Sequence, residues 1–399
     1  MKAVKLTLKI LICAIVILIL IVAAYVIYVM VNYERIEDNT KTDVEFQQNP
    51  LTSATLGVQD GAALEVGNEY KALSFNIGFG AYDHEFSFFM DEGYLADGTP
   101  VTGTMSRGRS KEAVEINTNT VIEQSLAEDA DIMLFQEVDV DADRSYQINQ
   151  RQAILNAYFT KIFEDGTDKP HNENFYYWTY AQNFHTPYLF YPPTKPIGFI
   201  RDSGILTVSR YVIESSVRRS FPVSDAFPTK FFDLDRCFSV NRMPVRRDGV
   251  QCGYLVLINA HMSAYDEGGT IRRAQMELIS DVITREYADG NWVILGGDFN
   301  HAIGGSETQF MNSMGTPPWV QKFDDAFVPD GFSLVIAENI KEVATARDTS
   351  LTYEKGFNYE TVLDGFIVSD NVKAVAHNID ADYVGSDHNP VLLSFTLEE

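Results

Sequence analysis

Along this chain the rhythm of apolar and polar positions changes twice. Ile10 to Val31 is an apolar run of 22 residues without a charge, long enough to cross the ~30 Å hydrocarbon core of a bilayer as a helix. Residues 33–69 then scatter Asn, Thr, Gln, Asp and Gly among few large apolar groups, the composition of a linker. From Tyr70 onward, apolar runs of strand length recur. They are Ala72–Phe75, Asp131–Phe135, Gly204–Val208, Tyr254–Asn259, Trp292–Leu295, Val362–Val368 and Val391–Phe395. Residues 91–108 are Gly-rich and read as an exposed loop.

Helical periodicity is visible in two places. Between Lys111 and Asp129, Val114, Ile116, Val121, Ile122 and Leu126 form a rough amphipathic stripe. From Thr270 to Tyr287, Ile271, Ala274, Leu278, Ile279 and Ile283 form a clearer one. Short strands separated by single helices, with polar residues gathered at the strand ends, predict one α/β layered domain over residues 70–399. There is no internal repeat.

Charge and composition sharpen this picture. A hydrophobic content of 45% supports a sizeable core. Lys2, Lys5 and Lys9 precede the apolar run, while Glu34, Glu37 and Asp38 follow it. That bias predicts a cytoplasmic segment 1–9, a single-pass anchor over 10–32 and a body outside the cytoplasm. A cleaved signal peptide is the competing reading. Against it, Ala23-Ala24 runs directly into Tyr-Val-Ile-Tyr instead of a small-residue cleavage pattern.

The formal net charge is −25, and without the three N-terminal lysines it falls to −28. So acidic a body lacks the positive footprint of nonspecific nucleic-acid binding. It is also repelled by anionic headgroups. Neither point excludes an enzyme that approaches phosphate through bound cations. Of three cysteines, Cys13 lies in the apolar run, and Cys237 and Cys252 read as buried free thiols; no Cys/His spacing suggests zinc.

Chemistry concentrates where apolar runs end. Asn76, Glu137, Asn259 with His261, Asp298 with Asn300, Asp364, and Asp387 with His388 each sit at or just past such a run. Any one of them is explained by turn or cap chemistry. Six such segments together are not. Hard oxygen donors from Asn76, Glu137 and Asp387 suit Mg²⁺, Mn²⁺ or Ca²⁺. Two histidines suit proton transfer, and Asn259 and Asn300 offer amide donors to a developing anion. The set fits metal-assisted hydrolysis of a phosphate ester.

These segments also resemble a known family in their order. Phe75-Asn76-Ile77, Leu134-Phe135-Gln136-Glu137, Ser203-Gly204 through Ser209-Arg210, Ile258-Asn259-Ala260-His261, Gly296-Gly297-Asp298-Phe299-Asn300, Leu363-Asp364-Gly365 and Gly385-Ser386-Asp387-His388-Asn389-Pro390 look like the signature of the endonuclease/exonuclease/phosphatase superfamily. The resemblance implies a four-layer sandwich of two mixed β-sheets flanked by helices, here preceded by the N-terminal transmembrane helix. It also implies a divalent-metal-dependent phosphoesterase. Glu137 would be the principal metal ligand, helped by Asn76 and Asp387. His388, oriented by Asp364, would act on water or phosphate, with Asp298 as its rival for general base. Asp298 and Asn300 would position nucleophile and phosphate, and His261 would stabilise phosphate charge or protonate the leaving group. Tyr180, Asn183 and His185 compete for a further phosphate contact; Asn183 joins Asn259 as a substrate-binding candidate. Arg144, Arg272 and Arg273 are candidate phosphate partners, and the Pro- and aromatic-rich Tyr188–Ile200 reads as a rigid loop near the substrate.

Three substrate readings follow. A membrane-anchored hydrolase of a lipid headgroup, phosphosugar or other small phosphate ester is favoured over a cell-surface endonuclease, because no basic stripe tracks a nucleic-acid backbone. A non-catalytic binding module on the same fold is disfavoured, because every matched position holds a competent residue. No apolar hairpin for membrane insertion stands out, and no obligate protein partner is indicated.

Overall fold

Two facing β-sheets organise the computed structural model, which describes residues 2–48, 61–164, 175–264 and 269–399. One sheet runs in the order β1 (Thr40–Thr42), β10 (Ser215–Ser220), β11 (Cys237–Arg247), β12 (Val250–His261), β13 (Trp292–Asp298), β18 (Asp364–Ser369), β15 (Phe332–Val335), with β3 (Leu64–Glu65) beside β11. The other runs β19 (Val372–Asn378), β20 (Val391–Leu397), β4 (Glu69–Asn76), β7 (Ile132–Ala142), β9 (Gly198–Ser209), β8 (Phe175–Leu189), β2 (Val44–Gln48). Small sheets of β5 (Glu92–Leu95), β6 (Pro100–Thr102) and β14 (Met314–Gly315), and of β16 (Ala346–Arg347) and β17 (Glu360–Thr361), sit outside them.

Alternation along the strands explains the layering. In β4 and β7, Ala72, Ile132 and Leu134 point into the seam between the sheets, where they join Leu257 and Ile294. Their neighbours Leu73, Phe75, Met133 and Phe135 point outward to Val121 and Ile122 of helix α2 (Lys111–Ala127) and Ile154 and Tyr158 of helix α3 (Gln150–Glu164). On the opposite side, Met276, Ile279, Val282 and Ile283 of helix α4 (Thr270–Ala288) close the other sheet. Central strands apolar on both faces are what a sheet covered on both sides requires. Each fully buried large side chain there stabilises the fold by about 1.5–3 kcal/mol.

Both sheets are mixed. β4 pairs parallel with β7, and β12 pairs parallel with β13. Parallel neighbours need a crossover, and α2 and α4 supply them. Ile116, expected on the apolar face of α2, is exposed instead.

The segment expected as a linker differs from that reading. Within residues 33–69, of which 49–60 lie outside the described residues, β1 adds an edge to one sheet and β2 an edge to the other. Thr40–Thr42, Val44 and Phe46 are extended-chain residues, and open sheet edges accept them through backbone hydrogen bonds alone. The Gly-rich 91–108 holds β5 and β6. Cys237 is buried but Cys252 is exposed, and both are free.

Before the sheets, helix α1 spans Lys2–Val31, and within its Val4–Val31 portion an 18-residue window reaches a mean hydropathy of 3.5, so the helix is long and apolar enough to cross a membrane.

Candidate active site

Strand register delivers the polar residues to one place. Asn76 faces Gln136 across β4–β7, His261 faces Asp298 across β12–β13, and Asp298 faces Asp364 across β13–β18. The parallel strands therefore end together, and ligand sites of layered α/β folds lie at such carboxyl ends. A cleft lined by Glu137, His261, Asp298, Asn300, Asp387 and His388 opens there.

Backbone strain marks two of these positions. Glu137 has φ +55° and Asn300 has φ +50°, left-handed conformations that cost of order 1–3 kcal/mol and concentrate at functional sites. Glu137 lies where the β7–β9 register shifts between Phe135 and Val138, a bulge that re-aims its side chain. Gly297 is required for a different reason. A Cβ there would lie 2.0 Å from the Ala260 carbonyl oxygen, so only glycine lets β12 and β13 close up beside Asp298.

His388 donates or accepts at both ring nitrogens within a carboxylate frame. Its Nδ1 lies 2.8 Å from Asp364 Oδ2, and its Nε2 lies 3.8 Å from Asp298 Oδ2. Burial alone would pull its pKa down, but Asp364 and Asp298 outweigh burial and raise it well above the usual value. The carboxylate frame thus favours the protonated ring. Asp298 is held from two sides: Asn300 N donates to Oδ1 at 2.8 Å and Asn76 Nδ2 to Oδ2 at 3.0 Å. Burial, then Asp364, pushes its carboxyl well above the ordinary aspartate range.

His261 behaves in the opposite way. Its Nε2 faces Arg236 Nη1 closely, and burial, reinforced by Arg236, pushes its pKa well below normal. It is a neutral ring, with Nε2 also 3.8 Å from Glu137 and 3.6 Å from Asp298. Asp387 is buried, its Oδ1 has no hydrogen-bond partner among the described residues, and burial pushes its pKa to about 7 against the opposing pull of His388. Glu137 lies close enough to raise it further.

Two groupings bear on a cation. Asp298, Asp364 and His388 offer atoms within 4.8 Å of one another, a possible cation site. His388 Nδ1, however, is committed to Asp364. The Glu137–Asp387 pair fits better, because a buried carboxylate with an orphaned oxygen beside a second acid leaves negative charge for a cation to neutralise. Asn76 Oδ1, which accepts from Gly78 N at 3.0 Å, retains a second lone pair for the same position.

Other expectations separate. Asn259 is not at the cleft. It lies in the seam between the sheets, its Oδ1 accepting from Gln136 Nε2 at 2.8 Å and its Nδ2 reaching the carbonyls of Leu206 and Phe135 at 3.2 and 3.3 Å. Strand alternation explains this: His261, two residues on, reaches the cleft only because β12 ends there. Asn183 is buried with neither amide atom hydrogen-bonded among the described residues, and it does not line the cleft. Tyr180 binds Asp202 at 3.0 Å, and His185 binds the Glu34 carbonyl at 2.7 Å. Arg144 lines the cleft but is clamped on Asp139 at 2.8 Å. Arg272 bonds the Trp319 carbonyl at 3.0 Å, and Arg273 stacks on Phe327.

Sequence reasoning missed two further arginines that reach the cleft beside Arg144. Arg236 and Arg347 are buried and line it. Arg347 Nη2 donates to the Asp83 carbonyl at 3.1 Å, while Nε and Nη1 have no hydrogen-bond partner among the described residues. Neither belongs to a recognisable short motif; only buried charge in three dimensions exposes them.

The match to the Endonuclease/Exonuclease/phosphatase family model covers residues 73–388, and the chain belongs to that family. Among solved structures it is similar to an endonuclease/exonuclease/phosphatase from Beutenbergia cavernae DSM 12333 (15% identity, TM-score 0.52), over 83% of this chain and 72% of that one. It is also similar to a family protein from Leptotrichia buccalis C-1013-b (14% identity, TM-score 0.48), over 82% of this chain and 100% of that one. A third is ANGEL2, a 2',3'-cyclic phosphatase solved with adenosine-2',3'-vanadate (15% identity, TM-score 0.49), over 90% of this chain and 99% of that one. No curated protein matches.

Proposed function

We propose that this chain hydrolyses phosphate esters, as a phosphodiesterase or phosphatase, with a divalent cation held by Glu137, Asp387 and Asn76. The observation that carries this reading is the convergence of the His388–Asp364 pair, Asp298 and the Glu137–Asp387 pair on one cleft with two buried arginines. Bound Mg²⁺, or Mn²⁺ or Ca²⁺ in its place, would neutralise phosphate oxygens and polarise the P–O bond.

The chain's own groups divide the remaining work. Asp298, its carboxylate fixed by Asn76 and Asn300, accepts a proton from the attacking water. A raised pKa makes it a more effective base than an ordinary aspartate. His388, whose proton the Asp364 and Asp298 carboxylates help hold, donates to the phosphoryl oxygens as they gain charge. Arg236 and Arg347 hold the same oxygens, and neutral His261 orients Arg236. Water oxygen bonds to phosphorus as the ester oxygen leaves and takes up a proton. The products are an alcohol and the phosphate fragment.

Helix α1 supports placing this activity on a membrane as a single-pass anchor, with Lys2, Lys5 and Lys9 cytoplasmic and the catalytic domain outside. The net charge of −25 supports a small or lipid-borne ester over nucleic acid.

The test is hydrolysis of bis(p-nitrophenyl) phosphate and p-nitrophenyl phosphate by the full chain in detergent with Mg²⁺ or Mn²⁺. His388→Ala is expected to cost about 10²-fold or more in kcat. Unchanged turnover in that variant refutes the reading, and plasmid nicking abolished by it moves the substrate class to nucleic acid.

A further inference from the structure

We propose that the cleft opens onto the bilayer surface, and that its substrate is a phosphate ester carried by a lipid of the leaflet in which α1 ends. This rests on the phosphoesterase reading for its chemistry and on α1 spanning the membrane. The surface itself stands on separate observations.

The end of α1 is not free of the domain. Val29 and Tyr33 are buried against Phe184, Leu189, Ile197 and Phe231, with Tyr25 packed beside them. Hydrogen bonds fix the contact. Tyr25 Oη donates to the Tyr188 carbonyl at 3.2 Å and accepts from Phe190 N at 2.8 Å, and Tyr28 Oη accepts from Tyr188 N at 3.3 Å. Some 20 residues of helix fill a ~30 Å hydrocarbon core. Counted from Ile10, the boundary falls near Val29. Tyr25 and Tyr28 then occupy the headgroup boundary that tyrosines favour, and the segment they bind lies at that same level.

What this segment shows to solvent suits an interface. Phe190, Tyr191 and Phe227 are 55%, 51% and 60% exposed. Phe227 rests on Phe231, which in turn rests on Tyr33. Residues 186–201 contain Lys195 and Arg201 but no acid, in a chain with 56 acidic residues. Residues 226–232 contain Lys230 and again no acid. Between the flanking acids Asp202, Asp225 and Asp233, these two segments present aromatic rings and cations at the level where anionic headgroups lie.

The same side chains lead to the chemistry. Tyr191 packs on Phe232 with centroids 5.5 Å apart, and Phe232, Leu234, Ile197 and Ile200 line the cleft that holds His261, Asp298 and His388. One apolar wall thus runs from the helix contact to the catalytic groups. A lipid headgroup raised slightly from its leaflet meets this wall with its glyceride end and the polar floor with its phosphate.

Two measurements on the full chain in phosphatidylcholine/phosphatidylglycerol vesicles test this. In a Cys13→Ser, Cys252→Ser background, a fluorophore on Phe190→Cys is expected to be quenched by nitroxide-labelled lipid. The same label on Val250→Cys is expected to escape, since Val250 is exposed and begins the strand that His261 ends, about 36 Å away. Equal quenching at both sites, or none at Phe190→Cys, overturns the surface whatever the enzyme hydrolyses. Second, Phe190→Ser/Tyr191→Ser/Phe227→Ser is expected to lose at least tenfold in turnover of vesicle phospholipid while keeping its rate on bis(p-nitrophenyl) phosphate. Equal loss on both substrates, or no loss on vesicles, overturns it. Wild-type protein that cleaves the soluble diester but no vesicle phospholipid overturns the lipid assignment and leaves the phosphoesterase reading standing; hydrolysis of neither refutes that reading, while quenching still decides the surface.

Discussion

Replacing Asp364 by Asn changes one charge and almost no volume, at the residue whose Oδ2 lies 2.8 Å from His388 Nδ1. Both side chains are buried, so water does not substitute for the lost carboxylate. A buried hydrogen bond to a charged group is worth about 1.5–3 kcal/mol, and 1.36 kcal/mol corresponds to one pKa unit. The His388 midpoint is therefore expected to fall. Asp364 also raises the Asp298 carboxyl, so the Asp298 midpoint should fall in the same variant. The first change loosens the hold on the ring proton, and kcat is expected to drop about 10²-fold with little change in KM.

Stability carries its own signature. A histidine whose folded pKa is raised contributes stability fully present below its unfolded pKa of about 6.5. That contribution is lost as pH rises through the folded midpoint. The Tm difference between wild type and Asp364→Asn should accordingly be largest at acid pH and shrink upward. Imidazole NMR titration, thermal melts across pH and steady-state kinetics read these three effects. A His388 midpoint that stays put or rises, or a Tm difference that grows with pH, would sink the reasoning.

Glu137→Gln keeps shape but removes a charge from the pair with Asp387; calorimetry should show Mn²⁺ affinity falling by tenfold or more, with activity falling in step. Unaltered binding would move the cation to Asp298 and Asp364. Asn259→Ala is expected to destabilise by about 1–3 kcal/mol, because Gln136 Nε2 loses an acceptor in the seam. Its denaturant midpoint should fall while KM for a soluble ester stays constant, and a raised KM would restore Asn259 to substrate binding. Arg347→Met should raise KM for p-nitrophenyl phosphate about tenfold with stability kept or improved, since the side chain is buried with Nε and Nη1 unpaired. A KM that does not move would exclude Arg347 from phosphate contact.

The sequence made the core strands legible because a sheet covered on both faces needs continuous apolar runs, and β4, β7, β12 and β13 have them. It made most of the site legible because those strands end together, so a polar residue closing an apolar run lands in the cleft. Strands toward the sheet margins escaped notice. β8, β10 and β11 mix Arg, Ser, Asn and Thr with apolar residues, and β1 and β2 look like linker, since an edge asks only for backbone pairing. Asn259 was misplaced because spacing alone cannot say on which side of a strand's last turn a residue falls. Arg236 and Arg347 were invisible because nothing in one dimension distinguishes a buried arginine from a solvated one.

The joining of α1 to the domain has a mechanical consequence. A flexible tether of 37 residues would let the catalytic body roam a sphere of about 33 Å root-mean-square radius. Here Tyr33 packs on the domain, and β1 and β2 are hydrogen-bonded into the outer edges of both sheets before residue 49, so any slack further along the chain lies beyond the joint. The body is mounted on its helix like a tool on a shaft, with a fixed height and tilt. If α1 spans a bilayer as proposed, rotation of the helix turns the whole domain with it, and lateral diffusion becomes the means by which the cleft searches for its next molecule.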